Sequence, residues 1–111
     1  MRRGEVWWAE LPPPGGRRPV VLLSRDAAYR VRTSVTVGTV TRMTRAIPVE
    51  VPLGLEDGLP QQCVANLDDI LTIPKARLSA RITTLSPQRM AAVDRAIMFA
   101  LDLKVAIRGV H

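Results

Sequence analysis

Ser34-Val35-Thr36-Val37-Gly38-Thr39-Val40-Thr41 is the stretch from which the architecture can be read. Apolar and hydroxyl side chains alternate strictly through Val37, which predicts a strand with its valines on one face. The phase slips at Gly38, after which Val40 stands between two threonines. A slip at glycine predicts a β-bulge, one extra residue that re-aims the strand. On that reading Thr39 and Thr41 are expected on the exposed face beside Thr36.

Working outward, Val20-Val21-Leu22-Leu23 predicts a strand buried on both faces. Before it, Glu5–Glu10 alternates partly, with Val6 and Trp8 on one face. Between the two lies Leu11-Pro12-Pro13-Pro14-Gly15-Gly16-Arg17, where prolines lack donors and glycines invite positive φ, so an exposed loop is expected. On the other side, Ile47–Val51 and Gln62–Asn66 read as strands flanking a turn region with Pro52, Gly54, Gly58 and Pro60, and Ile70–Ile73 and Arg81–Leu85 complete the set. The period then changes. Ser86 is a good N-cap and Pro87 suits the first helical position. Met90, Val93, Ile97, Ala100 and Leu101 recur at helical spacing, a stripe for core or dimer contact. The fold class expected is mainly β with a C-terminal α-helix, a small antiparallel barrel or half-open sheet, one domain over residues 1–111.

Charge adds a functional hint. The formal net charge is +6. Residues 1–45 hold nine arginines against Glu5, Glu10 and Asp26, whereas the rest of the chain is balanced. Forked guanidinium donors suit phosphate, so a nucleic acid or a strongly acidic protein is the expected partner. No stretch resembles a signal peptide or a membrane span, which predicts a cytoplasmic location.

Elimination narrows the chemistry. His111 is the only histidine and the last residue, and Cys63 is the only cysteine. Zinc sites and triads built on histidine therefore lack their parts. No phosphate-binding or dinucleotide glycine motif occurs. Asp68 and Asp69 are adjacent on a strand and should point to opposite faces, a poor Mg²⁺ site. No metal and no cofactor is expected. RNA, however, carries its own nucleophile: a 2′-OH can attack the neighbouring phosphorus once it is oriented and the developing charge is stabilised.

At this point five blocks of sequence, in order, resemble one family. They are Arg3-Gly4-Glu5-Val6-Trp7; Arg18-Pro19-Val20-Val21-Leu22-Leu23-Ser24; a strand closing on Val40-Thr41; Asp68-Asp69-Ile70-Leu71-Thr72-Ile73 running into Lys75-Ala76-Arg77-Leu78; and Ile82, Leu85-Ser86 and Met90-Ala91-Ala92-Val93-Asp94. Together they look like the MazF/PemK toxins of toxin–antitoxin systems. The resemblance implies an SH3-like β-barrel of the CcdB/PemK kind, a homodimer, and a groove for single-stranded RNA. It also implies sequence-specific cleavage to 2′,3′-cyclic phosphate and 5′-hydroxyl ends, and an acidic, partly disordered MazE-like antitoxin.

By position, Arg18 matches the family's catalytic arginine and Thr41 its strand-end threonine. Arg17 is expected to touch RNA beside Arg18, and Asp68 and Asp69 fall where family members contact bases. The usual pair there is acidic followed by Gln, so Asp69 departs from it, and Leu71 stands where many members carry Arg. The loop before Arg18 lacks the acidic residue that many members have, which leaves the general base open. Two other readings stay open from sequence: a CcdB-like gyrase-inhibiting toxin and a non-catalytic RNA-binding barrel.

Overall fold

The computed structural model describes residues 1–104. Six strands form one antiparallel sheet: β1 (Glu5–Leu11), β2 (Gly16–Leu22), β3 (Ser34–Thr41), β4 (Glu50–Leu53), β5 (Cys63–Pro74) and β6 (Leu78–Thr84), in spatial order β4-β5-β3-β2-β1-β6. A single helical turn α1 (Ala28–Val31) links β2 to β3, and helix α2 (Pro87–Ala100) follows β6. The sheet is curled into a half-barrel, with β4 and β6 as its open edges. No helix among the described residues is long and apolar enough to cross a membrane.

The sheet is covered on both faces, which explains why its inner strands read as nearly continuous apolar runs. Along β2 the side chains part company: Val21 joins Val6, Val40, Leu53 and Leu67 in one cluster, while Val20 and Leu22 join Ala9, Tyr29, Val35 and Val37 in another. Strand alternation sends neighbours to opposite faces, so two cores form on one sheet. Helix α2 closes the first cluster with Val93 and Ala96, both buried, and with Met90 and Ile97 partly buried. Its start is as the sequence indicates: Ser86 Oγ accepts the Arg89 N–H, and Pro87 occupies the first turn. The apolar stripe, however, ends early. Leu101 lies past the last helical residue and is exposed.

Three strand expectations are corrected. Gln62–Asn66 and Ile70–Ile73 do not form two strands: β5 starts at Cys63 and runs through both segments to Pro74, twelve residues in all. The Ile47–Val51 segment begins with a turn, the Glu50 N–H reaching the Ile47 carbonyl, and the strand proper is Glu50–Leu53. Pro52 sits inside it because β4 is an edge, where a missing N–H need not face a neighbour. The register does slip at Gly38, but the surplus residues are on the partner: Gly38 pairs with Ile70 while Thr39 pairs with Asn66, so Leu67, Asp68 and Asp69 bulge out of β5. Thr39 is consequently buried, at 2% exposure, and not on an exposed face.

Gly38 fits this bulge by its lack of a side chain. A Cβ there would meet Leu67 Cδ1 at 3.0 Å. Outside the sheet, Arg3 fastens the chain start to the rest: its guanidinium reaches the Leu23 carbonyl (3.1 Å) and Asp94 on α2 (2.6 Å). Arg89 does the same for the Leu55–Asp57 turn, donating to Asp57 Oδ1 at 2.9 Å.

Candidate nucleic-acid interface

The site originates in a ladder that stops. Strands β2 and β3 pair at Leu22↔Val37, Val21↔Gly38 and Val20↔Thr39, and no further. Donors aimed at β3 alternate along β2: the Leu23 N–H reaches the Thr36 carbonyl (2.9 Å), and the same alternation passes through Val21 to position 19. Proline stands there and has no N–H to give. The ladder therefore ends and the strands part. Continuing the register by two residues would set Arg18 opposite Thr41, so the gap opens between the two residues singled out as catalytic.

Three clefts meet at this gap. The first, of about 460 Å³, is lined by Trp8, Arg17, Arg18, Thr41, Arg42 and Cys63 among others. The second, of about 140 Å³, is bounded by Arg18, Thr39, Thr41, Arg45, Glu50, Asn66 and Asp69. The third, of about 400 Å³, lies between the proline-rich turn and β5, against Pro12, Gly15, Arg18, Asp69 and Leu71. Arg18 belongs to all three.

Arg18 is half-buried, and its Nε–H donates to the Gly15 carbonyl at 3.2 Å. The loop thus orients the guanidinium by one edge. Among the described residues no carboxylate forms an ion pair with it, so its terminal nitrogens face the clefts uncompensated. Thr41 Oγ1 accepts the Met43 N–H at 3.3 Å, which leaves its own proton available to an incoming oxygen.

Arg17 is differently placed. Its guanidinium lies over the Trp8 ring, 4.3 Å from the centroid, and pairs with Glu10 at 3.6 Å. Trp7 faces the other way: its indole N–H donates to buried Glu5 at 2.8 Å, and its body packs on the second cluster. Of the pair of tryptophans, Trp8 is therefore the one at the cleft.

The two aspartates separate. Asp69 lines two of the clefts, and Thr39 Oγ1 donates to its Oδ2 at 2.8 Å. Asp68 lines none of the three; it is exposed, and its backbone N–H is held by Asn66 Oδ1 at 3.0 Å. Both lie within the three-residue bulge of β5, and its last residue, Asp69, is the one that meets Thr39.

The clefts also gather residues that the sequence reading did not assign to the site. Arg42 and Arg45 follow Thr41 directly and are exposed, so the stretch Thr41–Arg45 brings two more cations to the rim. That signal was visible as an arginine cluster without a place. Glu50 does not compete with them. Its carboxylate accepts the Arg45 and Ala46 N–H groups and the Thr44 hydroxyl, and these bonds, led by that from Arg45, lower its pKa. Burial pushes the Cys63 thiol up, helped by Asp57 and Glu56, so this cysteine packs as a neutral group. Among the described residues no group of three or more His, Cys, Asp or Glu side chains is placed to hold a metal ion. His111 lies outside the described residues.

Known proteins share this architecture and sequence. Residues 2–101 match the family described as PemK-like, MazF-like toxins of type II toxin–antitoxin systems. The chain is 43% identical over 91 residues to the probable endoribonuclease MazF2 of Mycobacterium tuberculosis, covering 81% of this chain and 87% of the relative. Among solved structures, the Mycobacterium tuberculosis toxin MazF-mt6 superposes with a TM-score of 0.84 at 33% identity, over 91% of this chain and 99% of that one. A mycobacterial endoribonuclease solved in complex with its cognate antitoxin superposes at 0.85 and 29% identity, over 96% and 99% of the two chains.

Proposed function

The chain belongs to the PemK-like, MazF-like toxin family of type II toxin–antitoxin systems, and we propose that it is an endoribonuclease that cuts single-stranded RNA without a metal ion. The observation that carries this reading is the end of the β2–β3 ladder at Pro19, beside which Arg18 and Thr41 line the same two clefts. A scissile phosphate seated there meets a forked cation on one side and a hydroxyl donor on the other. Both stabilise charge on the non-bridging oxygens as the phosphorus becomes pentavalent, which is where fixed donors matter most. The 2′-OH of the RNA is the nucleophile, so the products are a 2′,3′-cyclic phosphate and a 5′-hydroxyl. Nothing in this step requires a Lewis acid, because the guanidinium supplies the positive charge.

Around that centre, Arg17 with Trp8 forms a stacking and phosphate-binding platform. Arg42 and Arg45 extend the positive rim along the strand. Asp69 meets RNA inside the clefts, and Asp68 meets it from the exposed side of the bulge. The relative solved in complex with its cognate antitoxin supports an antitoxin partner here, and the excess of arginine favours an acidic one that competes with RNA for the same side chains. The toxin works as a homodimer, consistent with the small size of the chain and the exposed Phe99, Leu101 and Leu103.

The test is direct. Purified protein is incubated with a long single-stranded RNA in EDTA, and the ends are mapped. Defined cuts with 5′-hydroxyl and cyclic phosphate termini are expected. RNA bound but intact would mean a binding barrel, and inhibition of gyrase without RNA cutting would mean a topoisomerase poison.

A further inference from the structure

Resting on that reading, we infer that Asp69 is the general base that takes the proton from the attacking 2′-OH, and that Thr39 is its positioning residue. The clefts around Arg18 and Thr41 hold few groups able to accept a proton. Glu50 is one, but its Oε1 already accepts from Arg45, Ala46 and Thr44, and it serves to close the turn before β4. Cys63 is a neutral thiol held by burial. Glu10 pairs with Arg17 and does not line the three clefts. Asp69 remains, and it lines two clefts that Arg18 also lines.

Its two oxygens have different surroundings. Oδ2 accepts the Thr39 hydroxyl at 2.8 Å, while Oδ1 has no hydrogen-bond partner among the described residues. Thr39 is 2% exposed and sits in β3 opposite Val20, the last pair of the β2–β3 ladder. A buried hydroxyl thus fixes one edge of an exposed carboxylate and leaves the other edge open to the cleft. The sheet makes an unusual arrangement to achieve this: three residues bulge from β5, and Asp69 is the last of them. A clamp for the bulge alone would need the Thr39 bond but no open oxygen beside an uncompensated arginine.

In the proposed step Oδ1 accepts the 2′-OH proton as the 2′ oxygen bonds to phosphorus. The bond from phosphorus to the 5′ oxygen breaks, and the leaving oxygen takes a proton from solvent water. The protonated Asp69 then returns its proton to solvent, so the transesterification balances.

The experiment measures kcat and KM from pH 4 to 9 on a short RNA spanning one mapped cut, for the full chain and three variants. Asp69→Asn keeps shape and still accepts the Thr39 hydroxyl. It should lower kcat by about 10²–10⁴-fold, the range for a lost general base, with KM within about threefold. The acidic limb of the kcat profile, where a carboxylate base becomes protonated, should vanish with it. Thr39→Val removes only the hydroxyl. It should lower kcat less than Asp69→Asn, with KM unchanged, because the carboxylate is no longer held in place by the Thr39 hydroxyl; Thr39→Ser should restore kcat. An Asp69→Asn enzyme that keeps kcat and the limb would overturn the inference. So would a changed cut sequence or a raised KM at unchanged kcat, which would make Asp69 a reader of bases. Circular dichroism melts of each variant separate these outcomes from misfolding. Wild-type protein that cuts no RNA would overturn the nuclease reading as well, whereas cutting that survives Asp69→Asn overturns only this assignment.

Discussion

Replacing Arg18 by lysine keeps the positive charge at the gap and removes the fork, and that separation makes it the most informative change at the site. Arg18 is in neither hydrophobic cluster, and its one internal partner is the Gly15 carbonyl. Loss of that bond costs about 1 kcal/mol of stability, so Arg18→Ala and Arg18→Lys should both fold. The chemical loss should be far larger. Each oxyanion donor removed from a preorganised site lowers the rate by about 10²–10³-fold. The free terminal nitrogens of Arg18 can supply two donors to one phosphate, a geometry an ammonium cannot copy. Arg18→Ala should therefore abolish measurable cleavage, and Arg18→Lys should recover little of it. Thr41→Val keeps the shape and loses the hydroxyl, with an expected drop of about 10²–10³-fold. The double variant should be scarcely worse than Arg18→Ala, since groups acting as a unit do not sum. The assay is single-turnover cleavage of a labelled RNA at saturating protein, with binding measured separately. Near wild-type cleavage by Arg18→Lys would show that bulk charge suffices and refute the fork. Full activity in Arg18→Ala would remove Arg18 from the mechanism.

Other expectations follow from the same geometry. Cleavage should be undiminished in EDTA, and activity lost to the chelator and restored by Mg²⁺ or Zn²⁺ would contradict metal-free chemistry. Arg45→Ala should weaken RNA binding and flatten its salt dependence while changing the saturated rate little, read from binding isotherms at several salt concentrations. Gly38→Ala forces a methyl against Leu67 and should destabilise by about 1–3 kcal/mol, seen as a lowered denaturation midpoint. The lowered pKa of Glu50 means that its bonds stabilise the fold above the ordinary glutamate value of about 4.3 and that this contribution fades as pH falls below it. The melting temperature of wild type should thus exceed that of Glu50→Gln at neutral pH, and the difference should shrink in acid; a constant difference would show that the carboxylate charge is not involved.

The fold was largely legible because its determinants are local. Alternation along Ser34–Val37, the doubly apolar Val20–Leu23 and the Ser86-Pro87 start of α2 each dictate a conformation that the rest of the chain does not override. What could not be read is what depends on a partner strand. Pro52 marks the end of a strand in isolation, but at a sheet edge it is tolerated. Likewise, a phase slip at Gly38 is visible in sequence, yet sequence does not say which strand holds the surplus residues. A glycine can mark its own bulge, or it can make room for a neighbour's. Here Leu67 fills the space that a Cβ would take, and the extra residues lie across the ladder.

That one ambiguity decides where Thr39 and the two aspartates lie. Assigned to β3, the slip predicts exposed threonines and, on an ordinary strand, two aspartates on opposite faces. Assigned to β5, it buries Thr39, turns Asp69 toward it, and leaves Asp68 outside the clefts. Arg18 and Thr41 needed no such knowledge, since each sits at a strand position fixed by its own segment. Their meeting at the same clefts did need it in part, through the proline at which the ladder stops. Pro19 is readable as a restraint on Arg18's backbone, but its larger effect is on the ladder to β3, which has no donor at that position and ends at Val20↔Thr39. A gap built by omission of a hydrogen bond leaves no residue in the sequence to announce it. The residue to look for is the missing donor, one position after the arginine and one pair before the threonine.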